Sequence, residues 1–319
     1  MIDCLGREIN YMRVSITDRC NLRCVYCMPE DGISAISHAQ VLRYEELLRL
    51  CAIAVRAGIR SVRVTGGEPL VRKGCIGFLR ELKTTPGIKR LALTTNGVFL
   101  EQFVDELADI GLDSINISLD SLSAETYMRI TRRDSFSAVW RGLNKAVASG
   151  LRVKINCVPI MGQNDAELLA FARLAENMPV DVRFIEFMPT RSGKSFERLS
   201  GTAILTRLLE AYPDLLPDTR RRGYGPARYF ISGKMRGSVG IISAGDGRIC
   251  SECNRVRLTS EGLLKLCLFH YDGLDLRGML RDGAGDAEIQ AAFTQAVLRK
   301  PEGQTHTGAG IETMSRIGG

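Results

Sequence analysis

Six short β-rich runs alternate with amphipathic stretches through the first two thirds of the chain, and no other feature limits the fold so strongly. The runs are Tyr11–Ile16, Ser61–Thr65, Arg90–Thr94, Ser114–Leu119, Arg152–Val158 and Val180–Phe187. Between them, Glu45–Val55 places Leu47, Leu48, Cys51, Ala54 and Val55 on one face of a helix. Val98–Ala108 and Asp165–Glu176 read the same way, and Gly58 and Gly111 stand where glycines close helices. Strands alternating with helices predict a parallel α/β sheet whose strands are largely apolar on both faces. Polar residues recur at successive strand ends: Thr65-Gly66-Gly67-Glu68-Pro69, Thr94-Thr95-Asn96-Gly97, Ser118-Leu119-Asp120, Lys154 with Asn156, and Glu186–Met188. That is the habit of a barrel's C-terminal face. Six strands are too few to close an eight-stranded barrel, so the pattern predicts a partial (β/α)6 TIM-type barrel.

The pattern changes after Pro217, which divides the chain into a barrel domain, residues 1–217, and a smaller C-terminal domain, residues 218–319. The latter carries short β-like segments (Arg228–Ile231, Val239–Ser243, Arg255–Thr259, Leu263–Leu268), a helix at Asp286–Leu298 and an aperiodic tail from Pro301. Trp140, in a helix around Ser137–Ala148, is expected to pack, and His38 and His306 to be surface residues without a role. The apolar runs fall far short of the ~18 residues of a membrane span. The N-terminus lacks a signal-peptide pattern, which predicts a cytoplasmic protein without a membrane partner. Lys plus Arg is 43 against 36 Asp plus Glu, an excess of +7 that suits an anionic ligand. A nucleic-acid module is disfavoured by 6% aromatics and the lack of a compact basic motif. The run Arg220, Arg221, Arg222 reads as a solvated loop.

Ten cysteines are many for a reducing compartment, and six fall into two groups of three. Cys4, Cys51, Cys75 and Cys157 read as small buried residues. Cys20, Cys24 and Cys27 form a C-x3-C-x2-C loop just after the first strand. Three thiolates are one short of a structural zinc site, but on an iron–sulfur cube they leave one iron open. A zinc loop completed from afar, or buried thiols, leave the third cysteine unexplained. Cys250, Cys253 and Cys267 form the second group. His270 follows Cys267 by three, so spacing alone favours a Cys3His zinc site there.

With Thr65–Pro69 at the next strand end, the first group resembles that of radical S-adenosylmethionine (SAM) enzymes. Cys250-Ser-Glu-Cys253-Asn-Arg255-Val-Arg257-Leu, Cys267-Leu-Phe and the terminal Gly318-Gly319 resemble the GTP 3′,8-cyclase branch, which opens molybdenum cofactor biosynthesis. The resemblance runs from about Leu5 to Gly319. It implies two 4Fe–4S clusters, one on Cys20, Cys24 and Cys27, the other on Cys250, Cys253 and Cys267. The first chelates SAM and splits it to a 5′-deoxyadenosyl radical; the second binds guanine. The radical takes a hydrogen from ribose C3′ of GTP, and C3′ then joins C8, giving 3′,8-cyclo-7,8-dihydro-GTP.

By the same resemblance Tyr26, Gly67, Ser118 and Met188 contact SAM. Arg63, Thr94, Lys154, Asn156, Arg183, Arg255, Val256 and Arg257 contact GTP, Arg13 faces the substrate as a catalytic residue, and the Gly318-Gly319 tail supports turnover. Ser61 departs from the family, whose members carry a lysine there. A one-electron reductant of flavodoxin or ferredoxin type and a homodimer are also implied. Several arginines facing one cavity are unfavourable without an anion, and guanidinium suits phosphate. The rivals are a peptide-modifying radical SAM enzyme with an auxiliary cluster and a zinc-bearing nucleic-acid module. The first ordinarily has a cysteine-richer C-terminal region, whereas three cysteines are available here.

Overall fold

The computed structural model describes residues 1–34, 36–188, 196–220, 223, 225–243, 248–270 and 272–303. Its strands are β1 (Tyr11–Ser15), β2 (Ser61–Thr65), β3 (Arg90–Thr95), β4 (Ser114–Ser118), β5 (Val153–Cys157), β6 (Asp181–Ile185), β7 (Leu216–Pro217), β8 (Arg228–Ile231), β9 (Ser238–Ile242), β10 (Arg255–Leu258), β11 (Leu263–Lys265) and β12 (Gly273–Asp275). All belong to one sheet, in the order β12-β11-β10-β1-β2-β3-β4-β5-β6-β9-β8-β7. The six strands expected from the alternation lie consecutively and parallel at its centre. Beyond them, β10 joins β1 and β9 joins β6, both in parallel. The outer strands run antiparallel, and β9 and β10 do not pair with each other, so the barrel stays open. The C-terminal strands thus extend the barrel sheet at both edges instead of building a sheet of their own.

The helices are α1 (Tyr44–Arg56), α2 (Cys75–Thr84), α3 (Leu100–Asp109), α4 (Ala124–Thr131), α5 (Phe136–Ala148), α6 (Leu168–Asn177), α7 (Gly201–Ala211), α8 (Arg248–Ser251), α9 (Leu276–Arg281) and α10 (Asp286–Leu298). The start of α1 is fixed because the Glu46 carboxylate accepts the Arg43 N–H at 2.7 Å. At α4 and α7 the N-cap residue itself does the capping: the Ser123 and Ser200 hydroxyls accept the N–H of Thr126 and Ala203. Gly58 and Gly111 follow α1 and α3 with φ of +116° and +70°, as read from the sequence. Trp140 stacks on Phe136 within α5. No helix among the described residues is long and apolar enough to cross a membrane.

One expectation fails. The strands are not apolar on both faces. Their outward residues, such as Val14, Val64, Leu93, Ile117, Ile155 and Phe184, are fully buried in the core against the helices. Their inward residues are polar: Arg13, Arg63, Thr94, Asn116, Asn156 and Arg183 face a central cavity. Period-two alternation puts successive side chains on opposite faces, so the lumen is a binding site instead of the packed layers of a filled barrel. Two smaller corrections follow. Cys4 is exposed, while Cys51, Cys75 and Cys157 are buried as expected. The strand expected over Leu263–Leu268 ends at Lys265, because the chain turns there to bring Cys267 toward Cys253.

Candidate active site

The lumen encloses a cavity of about 260 Å3 reached by side chains from all eight parallel strands. One side is formed by Cys20, Cys24 and Cys27 on the loop after β1, the other by basic residues of β1, β2, β6 and β10. The cysteine loop is stitched to its surroundings. Gly67 and Glu68 N–H donate to the Thr17 and Arg19 carbonyls at 2.7 and 2.8 Å. A Cβ on Gly67 would lie 2.4 Å from the Arg19 carbonyl oxygen, so only glycine lets the end of β2 lie against this loop. Arg23 and Val25 N–H donate to the end of α4, and Arg132, the single non-glycine residue with positive φ among those described, donates to the Arg23 and Met28 carbonyls.

The three thiols share this cavity, are near enough to influence one another's charge, and form no disulfide. Burial pushes Cys20 up to about 11 and Cys24 well above its ordinary value, and the carboxylates Glu68 and Asp120 add to this. Thiols so placed become thiolates when a cation compensates them, which fits an iron–sulfur cluster with one open position. The same surroundings are acidic. Glu68, fully enclosed, is pushed by burial to about 7 and Asp120 to about 6. Glu68 accepts from Leu70 N, Thr95 hydroxyl and Asn96 N. Asp120 accepts the Tyr26 hydroxyl at 2.6 Å and Val158 N at 2.8 Å. Asn96 ties Glu68 to the cysteine loop, its side-chain amide donating to the Cys20 sulfur at 3.8 Å and to Asn21 at 2.8 Å.

The opposite wall is basic. Register places Arg257, Arg13 and Arg63 side by side on β10, β1 and β2. Like charges directly opposite in a sheet repel, and burial plus Arg257 holds Arg13 well below its ordinary value. Arg257 falls to about 10, by burial first and then Arg255. Arg183, on β6, is also pushed down by burial, and its Nε is buried with no hydrogen-bond partner. Arg63 donates to Thr94 at 3.4 Å and to the Tyr11 hydroxyl. Burial pushes the Tyr11 phenol up, but Arg63 and Arg13 outweigh it and the net shift is downward. Five arginines, one of them bonded to the Tyr11 hydroxyl, surround one cavity and make a wall suited to a polyanion.

Of the residues expected to contact ligands, Arg13, Tyr26, Arg63, Gly67, Thr94, Ser118, Asn156, Arg183, Met188, Arg255 and Arg257 line this cavity. Lys154 does not. It is buried in an adjoining cleft with Ser61, Arg63, Arg152 and Arg183, 3.5 Å from Asp181 and 3.1 Å from the Tyr229 hydroxyl. Val256 is fully buried on the outer face of β10, which leaves only its main chain for a ligand. Gly318 and Gly319 lie outside the described residues, as do His306, Arg221 and Arg222; Arg220 pairs with Asp218 at 2.8 Å on the surface. The second cysteine group stands beside the basic wall, with Cys253 and Cys267 both close to Arg257 and Lys300. Burial opposes ionisation of Cys253, but Arg255 and Lys300 prevail and push it down. His270, the fourth residue of the zinc alternative, has its Nε2 3.0 Å from the Gly303 carbonyl. A thiol trio beside cations fits a second open cluster.

Sequence reasoning gave no site role to Tyr11, Asn96, Asn116, Asp120 or Tyr229. Asn96 and Asp120 stand in the polar strand ends, a signal that was available. The tyrosines carry none, since an aromatic in a strand reads as core.

The Radical SAM superfamily profile matches residues 14–175, and the Molybdenum Cofactor Synthesis C profile residues 180–306. Among curated proteins, the GTP 3′,8-cyclases of Heliobacterium modesticaldum and Moorella thermoacetica are 46% and 44% identical, each covering 100% of both chains. That of Geobacter sulfurreducens is 42% identical over 100% of this chain and 99% of its own. Among solved structures, Streptococcus suis SuiB bound to S-adenosylmethionine superposes with a TM-score of 0.60 at 16% identity, over 94% of this chain and 73% of that one. That likeness concerns the fold. With a three-thiol loop facing a basic wall in one lumen, and full-length relatives above 40% identity, the chain belongs to the GTP 3′,8-cyclase family of the radical SAM superfamily.

Proposed function

We propose that this chain is a radical SAM lyase that converts GTP to 3′,8-cyclo-7,8-dihydro-GTP, the first step of molybdenum cofactor biosynthesis. The observation that carries the reading is the division of one cavity into an acidic, three-thiol side and an arginine-lined side. SAM is a sulfonium with an ammonium group, and GTP a polyanion, so each ligand meets the charge that favours it. The cluster on Cys20, Cys24 and Cys27 supplies, when bound, the electron that cleaves SAM.

The protein's part is placement and exclusion of water. Tyr26, Gly67, Ser118 and Met188 face SAM, and the Asp120 carboxylate fixes the Tyr26 hydroxyl. Arg13, Arg63, Arg183, Arg255 and Arg257 hold GTP, with Thr94, Asn156 and the main chain of Val256; Lys154 reaches its phosphates from the adjoining cleft. Cys250, Cys253 and Cys267 would hold the second cluster, which would supply a binding position for guanine, and Gly318-Gly319 supports turnover. Residues 1–217 act as the barrel unit and 218–319 as the unit bearing the second cluster, a division supported by the antiparallel pairings of β8, β11 and β12 in the second. The enzyme draws electrons from a flavodoxin- or ferredoxin-type reductant and works in the cytoplasm as a homodimer. Two groups of free thiols without a disulfide support the first two of these, and the family resemblance the third.

The test is anaerobic incubation of reconstituted protein with SAM, GTP and dithionite. The expected result is 5′-deoxyadenosine and 3′,8-cyclo-7,8-dihydro-GTP in equal amounts by mass spectrometry. SAM cleavage that leaves GTP intact would overturn the reading.

A further inference from the structure

Arg7 lies before the first barrel strand and is 7% exposed. Its Nε donates to Asp3 Oδ2 at 2.7 Å. Nη1 donates to the carbonyls of Cys250 and Glu302 at 3.0 and 3.1 Å, and Nη2 to those of Lys300 and Pro301 at 3.2 and 2.8 Å. A guanidinium has five N–H donors in a rigid fork, and all five are used. Four go to main-chain carbonyls, three of them in consecutive residues after α10 and one in the second cysteine group. Asp3, whose side chain is fully buried, holds the fork in turn and also accepts Leu5 and Arg7 N–H. A single buried side chain from one end of the molecule therefore ties the segment Lys300–Glu302 to Cys250.

That segment carries a charge to the sulfurs. Lys300 is 3% exposed, its ammonium donates to the Leu266 carbonyl next to Cys267, and it also bonds the Cys253 sulfur. Three residues on, Gly303 sits against Cys250, where a Cβ would lie 3.4 Å from the sulfur, and its carbonyl meets His270. We infer that Arg7, held by Asp3, is a positioning residue of the second metal site: by docking Lys300–Gly303 on the Cys250 loop it places the Lys300 ammonium beside Cys253 and Cys267. A fixed cation next to cluster thiolates favours the more negative, reduced state of the cluster and so raises its potential. Outer partners of metal ligands tune sites in this way.

The inference rests on the reading that this cysteine group holds a cluster, and the test separates the two. Full-length protein carrying Cys24→Ala reports the second cluster alone. If that protein binds no iron after reconstitution, the cluster reading itself fails. Given iron there, Lys300→Gln should shift the midpoint potential downward in an electron paramagnetic resonance titration. Arg7→Lys keeps the net charge but cannot span four carbonyls. It should shift the potential the same way, and hydrogen exchange across residues 300–303 should quicken by about tenfold or more. The double variant Arg7→Lys with Lys300→Gln should shift no further than Lys300→Gln alone, because one change acts through the other. With Cys24 restored, iron on the first cysteine group should be unchanged in Arg7→Lys. Additive shifts, unchanged exchange, an unshifted potential, or equal iron loss from both groups would overturn the assignment, the last by making Arg7 a staple of the whole fold.

Discussion

The two cysteine groups have the same count of thiols and opposite surroundings. Cys20, Cys24 and Cys27 lie among carboxylates, with Glu68 and Asp120 adding to the burial that pushes Cys20 and Cys24 up. Cys253 lies among cations, and Arg255 and Lys300 pull it down against its burial. The first loop is braced by barrel parts: the glycines after β2, Asn96 after β3 and Arg132 after α4. The second is braced by Arg7, before β1, and by Lys300–Gly303, after α10. Field, more than ligand count, separates the tasks of two like metal sites. An acidic setting receives a cationic cofactor, and a basic one an anionic substrate.

The comparison breaks most completely at the ligands. Cys24→Ala should lose about half of the iron per chain and all 5′-deoxyadenosine production, while the circular dichroism spectrum stays that of the folded protein. Cys267→Ala should lose a similar share of iron but still cleave SAM. Production of 5′-deoxyadenosine by the Cys24 variant would mean that the two groups are not divided in this way.

A smaller effect is expected from the field. Arg257→Ala removes a charge-assisted contact to phosphate worth ~1.5–3 kcal/mol. Its GTP affinity should therefore fall by about one to two decades. Calorimetry at one salt concentration should show little change for guanosine and for SAM. Equal losses for GTP and guanosine would show that Arg257 does not serve the phosphates.

Smaller again is the response to pH. Burial, then Arg183, pushes Lys154 down to about 7 against the pull of Asp181. The ammonium form attracts phosphate, so GTP binding takes up a proton, and affinity should fall by up to about tenfold per pH unit above 7. Lys154→Arg should flatten that slope. The linked effect on folding has the opposite sense. The unfolded lysine titrates near 10.4, so the unfolded chain holds more protons between pH 7 and that value, and this residue's unfavourable contribution fades as pH rises through the window. The smallest expected effect is none: His270→Ala should leave iron per chain unchanged, since His270 serves the Gly303 carbonyl.

The strands and their order along the chain were legible from residue spacing, because a polar-ended run followed by an amphipathic helix is a local pattern. The boundaries of β2 and of α10 agree residue for residue with the runs read from it. Residue spacing also marked both thiol trios and the arginine pair Arg255 and Arg257, since a spacing of two puts both on one face of a strand. Which face turned inward depended on long-range strand pairing. Val62 and Arg63 are neighbours in sequence, yet one joins the core and the other the cavity once β1 and β3 fix the register. Arg257, Arg13 and Arg63 come from places far apart in the chain and meet only because β10 pairs with β1. Arg7 meets Cys250 and Lys300 across more than 240 residues. Such contacts carry no local pattern: the backbone carbonyls that Arg7 binds are the same in every residue, and their convergence depends on where the folded chain returns.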